Sequence, residues 1–143
     1  MSAINTLSIT VFVFFCFINT VSGQNKEQEH KAIKKVVNQY LVGDTQKQFD
    51  TLKMAFHENA MMKYVSSKSG YQEYNALEVF KGDIGREPEK NRANEINYVD
   101  VTGRAASVKV TVTYPDRVVV DYVNLLKIDG RWKIVSKIFS LKN

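Results

Sequence analysis

The chain has 143 residues, 44% hydrophobic and 24% charged, enough for one ordinary globular domain and too few for a second independent core. Its formal net charge of +5 is spread from Lys26 to Lys142 with acids interspersed. That pattern excludes the basic stripe of a nucleic-acid reader and suits a solvated surface open to anionic small molecules or envelope surfaces. The single cysteine, Cys16, excludes disulfide staples.

The first charged side chain is Lys26, and the apolar run Val11 to Ile18 leads into Val21, Ser22 and Gly23. This reads as a secretory signal, too short to span a bilayer, with small residues at the cleavage positions. We therefore expect residues 1–23 to be a signal peptide cleaved after Gly23, and residues 24–143 to be one secreted or periplasmic domain that meets a membrane only during export. The absence of Lys or Arg ahead of the run leaves an uncleaved N-terminal anchor as the alternative. Cleavage would remove Cys16, and with it cysteine catalysis and thiolate metal sites.

From Glu27 to Val42, Ile33, Val36, Val37, Tyr40 and Leu41 recur at helical spacing. Gly43 suits the left-handed position that ends such a helix, and Asp44 suits the cap of a second one from Thr45 to about Phe56, whose stripe is Phe49, Leu52 and Phe56. Two β-rich runs, Ala60 to Ser66 and Tyr71 to Tyr74, form a hairpin, and Asn75 caps a short helix from Ala76 to Lys81. Gly82 to Arg92 has little to bury and reads as a mobile loop, the candidate lid.

Four strands follow, Asn94 to Thr102, Ala105 to Tyr114, Val118 to Ile128 and Arg131 to Ser140, joined by turns short enough to force an antiparallel meander. Asp129-Gly130 is a strong hairpin signal, because a type I′ turn needs two residues that tolerate positive φ. It pairs Ile128 with Arg131, and counting back sets Leu125 opposite Ile134, Val123 opposite Ser136 and Asp121 opposite Ile138. Matching the valines of neighbouring strands gives an inner face of Val99, Val101, Ala106, Val108, Val110, Val112, Val119, Val123, Leu125, Trp132, Ile134 and Ile138. Asn97, Asp121 and Ser136 fall among them. A carboxylate on an apolar face must find partners, protonate, or line a cavity. The opposite face carries Tyr98, Lys109, Tyr122 and Lys137 in one row, either solvated, or an interface for a second copy or a platform for an anionic ligand.

The order of elements is that of the nuclear transport factor 2-like superfamily, which includes the SnoaL-like and ketosteroid isomerase-like proteins. Within it, Tyr40 to Asp44, Phe56 to Ala60, Tyr71 to Tyr74 and Asn124 to Phe139 resemble the putative lumazine-binding family of small bacterial proteins. The resemblance implies an α+β cone (α-α-β-β-α-β-β-β-β), three helices packed on a strongly curved antiparallel sheet around an internal pocket. In the isomerases the general base is an aspartate at a position matched here by Tyr64, and a phenol with a reference pKa near 10 is a poor base at neutral pH. Fold alone does not fix function here.

The leading expectation is an exported domain whose pocket binds a small, partly aromatic or hydrophobic molecule without catalysis, lined by Tyr40, Tyr64, Asn97, Asp121, Trp132 and Ser136. One alternative is an acid–base lyase or isomerase using Asp121 with His57 or Tyr64, and another is a module that dimerises through Tyr98, Lys109, Tyr122 and Lys137. The core reading of Tyr40 and Trp132, and a helix-end reading of His57, stand beside these. No metal or cofactor is expected, since His30 and His57 are the only histidines and no calcium loop is present.

Overall fold

A computed structural model describes residues 18–142, so the first seventeen residues of the expected signal peptide lie outside the described residues. Helix α1 (Ile18–Thr45) and helix α2 (Phe49–Ala55) precede strands β1 (Phe56–Ser66) and β2 (Gly70–Asn75). Helix α3 (Ala76–Lys81) leads through a loop to the meander β3 (Ala93–Thr102), β4 (Ala105–Thr113), β5 (Val118–Ile128) and β6 (Arg131–Leu141). The six strands form one sheet in the order β2-β1-β6-β5-β4-β3, curved and unclosed, with the helices packed on its inner face. Every neighbouring pair is antiparallel except β1 with β6, which is parallel. None of the described helices is long and apolar enough to cross a membrane.

The core sits where the α1 stripe meets the valine face: Ile33, Val37, Tyr40 and Leu41 pack with Val108, Val110, Val112, Val123, Leu125 and Ile134. Tyr40, Phe56 and Phe80 form an aromatic trio, the first pair edge to face at 5.4 Å. Asn75 caps α3 as its sequence suggests, accepting from the Glu78 N–H at 3.1 Å.

The corner between α1 and α2 differs from the sequence expectation. Gly43 does not end α1 but lies inside it, where an added Cβ would stand 2.9 Å from Leu52 Cγ, so its lack of a side chain is what lets α2 approach. The left-handed position belongs to Lys47, at φ 55°. Gln48 N–H bonds the Gly43 carbonyl and Lys47 N–H the Asp44 carbonyl, the two bonds of a Schellman ending. Asp44 is therefore not a cap for α2, which begins four residues later than predicted.

Nor does the loop 82–92 hang free as a lid would. The Lys47 ammonium meets Asp44, Asp83 and Glu89 at 3.2–3.7 Å, Glu89 N–H bonds the Thr45 carbonyl, and Arg92 Nη1 bonds Asp44 Oδ2 at 2.6 Å. Each end of the loop is thus bound to the end of α1.

Two bulges change the register of the meander. On β6 Val135 is the extra residue: Leu125 pairs with Ile134, but Asn124 pairs with Ser136, Val123 with Lys137 and Asp121 with Phe139. On β3 Asn97 is the extra residue, because Ile96 pairs with Val110 and Tyr98 with Lys109. A bulge adds one residue to one strand, bends it, and exchanges its two faces beyond that point. Ile138, expected inside, is consequently 48% exposed.

Candidate ligand-binding site

The exchange on β6 places Lys137 on the concave face, directly beside Asp121 and Tyr40. Tyr40 donates to Asp121 Oδ2 at 2.5 Å, and Lys137 Nζ donates to Asp121 Oδ1 at 3.2 Å and to the Tyr40 hydroxyl at 3.1 Å. Asp121 is 1% exposed and Lys137 7%. Both carboxylate oxygens and both functions of the phenol are thereby satisfied, as buried polar groups require. Burial, then the carboxylates of Asp121 and Asp44, push the Tyr40 phenol well above its ordinary value, so it remains a hydrogen-bond donor. The ammonium has a third N–H and lies 4.5 Å from the centroid of the Phe139 ring.

Lys137 also forms part of the wall of a cleft of about 470 Å³ at the open end of the concave face, between β1, β6 and the β4–β5 turn. Its aromatic walls are Tyr64, stacked on Phe139 at 4.7 Å, and Tyr114, whose ring lies against the Arg117 guanidinium at 4.0 Å. Val119 and Leu141 complete the apolar surface. The cleft is therefore walled by rings and aliphatic side chains, with Ser66, Ser67, Ser140 and the Arg117 guanidinium also in its lining and the Lys137 ammonium presented from a neutralised cluster. It suits a flat, ring-containing molecule with an acceptor atom.

The residues singled out in the sequence divide into three groups. Tyr40, Asp121 and Tyr64 gather at this cleft, the first two behind Lys137 and the third in its wall. Asn97 and Ser136 leave the inner face because of the bulges: Asn97 is exposed and accepts from Thr111 Oγ1, and Ser136 accepts from Asn124 on the convex side. Lys137, expected on the outer row, is buried inside for the same reason, and Ile138 takes its place. The convex row then runs Tyr98, Lys109, Tyr122, Ile138, Lys63 and Glu73 across all six strands.

Trp132 lies toward the other end of β6. Its indole N–H donates to Glu29 Oε2 at 2.7 Å, and Lys127 Nζ donates to Glu29 Oε1 at 2.5 Å. His57 opens β1 just after α2, its Nδ1 accepting from Asn59 N–H, and it makes no hydrogen bond to the Asp121 cluster. The geometry that an Asp121–His57 or Asp121–Tyr64 acid–base pair would need is not formed; the groups that converge on Asp121 are Tyr40 and Lys137.

Sequence reasoning put Lys137 on the outer face and Asp44 at a helix cap, and passed over Glu29 and Arg92. Lys137 had a signal: an acid stranded on an apolar face needs a cation, and the nearest one in the unbulged register stands one residue away. Glu29 had another, since it lies four residues before Ile33 and continues the buried α1 stripe. The hydrogen bonds from Lys127 and Trp132 hold the Glu29 carboxyl below its ordinary value of 4.5. A depressed carboxylate contributes stability that is present above its unfolded pKa and is lost as pH falls through the folded one. Trp132 fluorescence is accordingly expected to stay constant down to the ordinary carboxylate range and change below it, and Glu29→Gln should abolish that transition. An unaltered acid limb in Glu29→Gln would assign the change to another group.

Comparison with known proteins agrees with the fold. A family model described as "Putative lumazine-binding" matches residues 28–140. The chain belongs to that family. Among solved structures, this domain is similar to an NTF2-like protein of unknown function from Shewanella baltica OS155, with TM-score 0.74 and 25% identity over 81% of this chain and 95% of that one. An NTF2-like protein of unknown function from Silicibacter pomeroyi DSS-3 gives TM-score 0.72 at 20% identity, covering 82% of this chain and 98% of that one. The association domain of C. elegans CaMKII shares the fold at TM-score 0.62 and 16% identity, covering 81% and 98% respectively. No curated protein sequence matches the chain.

Proposed function

We propose that this protein is an exported domain whose concave cleft binds a small planar aromatic molecule and releases it unchanged. The observation that carries the reading is Lys137, an ammonium with one N–H beyond those spent on Asp121 and Tyr40, standing among the rings of Tyr64, Tyr114 and Phe139. Stacking supplies affinity for any flat ring system, and the ammonium selects one with a carbonyl or anionic oxygen at its edge. Lumazine, the bicyclic ring for which the family is named, has that chemistry. Binding without turnover is supported by Asp121 itself: both its oxygens are engaged and almost none of its surface is accessible, which leaves it a poor base toward a ligand in the cleft.

Lumazine is fluorescent, so a titration reads binding directly. We expect saturable one-to-one binding, weakened about tenfold or more in Tyr64→Ala and in Lys137→Met, with the compound recovered intact. Tyr64 is partly exposed, so Tyr64→Ala tests the cleft even where Lys137→Met is poorly folded. Equal affinity in folded Tyr64→Ala, or no stabilisation of the wild type by any ring compound in a thermal-shift panel, would refute the reading. A rearranged product would instead favour the acid–base alternative. Export predicts a mature chain beginning at Gln24.

The convex row favours a second reading, a homodimer. Tyr98, Tyr122 and Ile138 are each more than 40% exposed and lie in one row, with Lys109 Nζ 5.8 Å from the Tyr122 ring centroid. A shallow groove of about 330 Å³ beside them is lined by Val65, Tyr71, Tyr122 and Ile138. Sedimentation equilibrium should give twice the monomer mass, reverting to monomer in Ile138→Glu; a monomeric wild type would end this reading.

A further inference from the structure

We infer that the protein has a second binding site, for a phosphate group attached to an apolar body, in the cleft between α1 and the tip of the β5–β6 hairpin. This cleft, about 550 Å³, lies at the Trp132 end of the molecule, and Tyr64, Tyr114 and Phe139 are not part of its wall. Lys35, Lys127, Arg131 and Lys133 border it against a single carboxylate, Glu29. Glu29 is already engaged by Lys127 and by the Trp132 indole, so it cannot also neutralise the others.

Lys133 spends its ammonium on the backbone carbonyls of Lys53 and Met54, at 3.2 and 2.6 Å, rather than on an acid. Lys35 and Arg131 are exposed and make no salt bridge among the described residues. Burial, and then the nearby Arg131 charge, push the Lys133 ammonium below its ordinary value. An anion between Arg131, Lys133 and Lys35 would relieve that repulsion through charge-assisted hydrogen bonds. Val36, Met54 and the Trp132 ring supply an apolar floor beside it, which fits a phosphate carried on an apolar group better than a bare ion.

Trp132 is the chain's only tryptophan, so its emission reports occupancy of this cleft directly. The test titrates the purified protein with phenyl phosphate, with phenol, and with phosphatidylcholine vesicles containing phosphatidylglycerol. We expect phenyl phosphate to shift the emission saturably where phenol does not, more tightly at low salt, and Lys35→Ala/Arg131→Ala to weaken it about tenfold or more. Both substituted residues are exposed, so the thermal midpoint should hold and the loss cannot be assigned to unfolding. Tyr64→Ala should leave this titration unchanged, which separates it from the concave cleft. A response to vesicles alone, lost in the same double variant, would support the site with a lipid headgroup as its source. No emission change with any probe at millimolar concentration, equal responses to phenol and phenyl phosphate, or undiminished binding in the double variant would overturn it.

Discussion

Asp121→Ala is expected to destabilise the protein by about 3–5 kcal/mol in urea unfolding, the cost of leaving a buried cation without its partner. The substitution strands Lys137, 7% exposed, and leaves the Tyr40 hydroxyl without its acceptor. Lys137→Met should be comparably costly, because it leaves the carboxylate buried beside a neutral phenol. The two losses should not add, since each removes the same interaction. Removing all three polar ends together, as Tyr40→Phe/Asp121→Leu/Lys137→Met, should recover most of the stability, because a well-packed apolar replacement of a buried ion pair is often neutral or better. That variant should still fail to bind a ring compound in the concave cleft. A loss below about 1 kcal/mol for Asp121→Ala would place the pair among solvated ion pairs and contradict its burial.

Asp44→Ala is expected to cost about 3 kcal/mol by the same logic at the other end of α1. The Arg92 side chain has no exposed surface; its Nη1 is held by Asp44 and its Nε by Asn94, and its Nη2 has no partner in the protein. Without Asp44 an entire guanidinium would be buried with one amide oxygen and the face of the Tyr114 ring for company. Asp83→Ala is the control, since Lys47 would keep Asp44 and Glu89, and its cost should stay near 1 kcal/mol or less. Hydrogen exchange in residues 82–92 should accelerate in Asp44→Ala, because Arg92 is one of the points that tie this loop to α1. Equal costs for the two variants would mean that Arg92 does not depend on Asp44.

How far the site was legible follows from two local irregularities. Alternation in the last strand, Ile134, Ser136 and Ile138 against Val135, Lys137 and Phe139, fits an unbroken register and a bulged one nearly equally well. The turn at Asp129-Gly130 determines pairing only as far as Ile134. Beyond Val135 the faces exchange because Lys137 meets Asp121 and Tyr40, partners 16 and 97 positions away, and no local propensity encodes that gain. Asn97 left the inner face by the same mechanism, and Ile96 packs against the core in its stead. The α1–α2 corner failed for a different reason. Gly43 suggested a helix end on conformational grounds, yet its role is steric, making room for Leu52, and Lys47 takes the left-handed angle within a cluster of three carboxylates.

By itself the sequence determined the α+β class, the order of helices and strands, the Asn75 cap, the hairpin tip and the valine face that the helices cover. These depend on turn chemistry and on periods of two and 3.6 residues, which are properties of neighbouring positions. Only the tertiary structure decided which cations enter the interior, that β1 runs parallel beside β6, and where the two clefts open. Each of those is an electrostatic or packing bargain between residues distant along the chain, struck only once the sheet has curved and α1 lies across it.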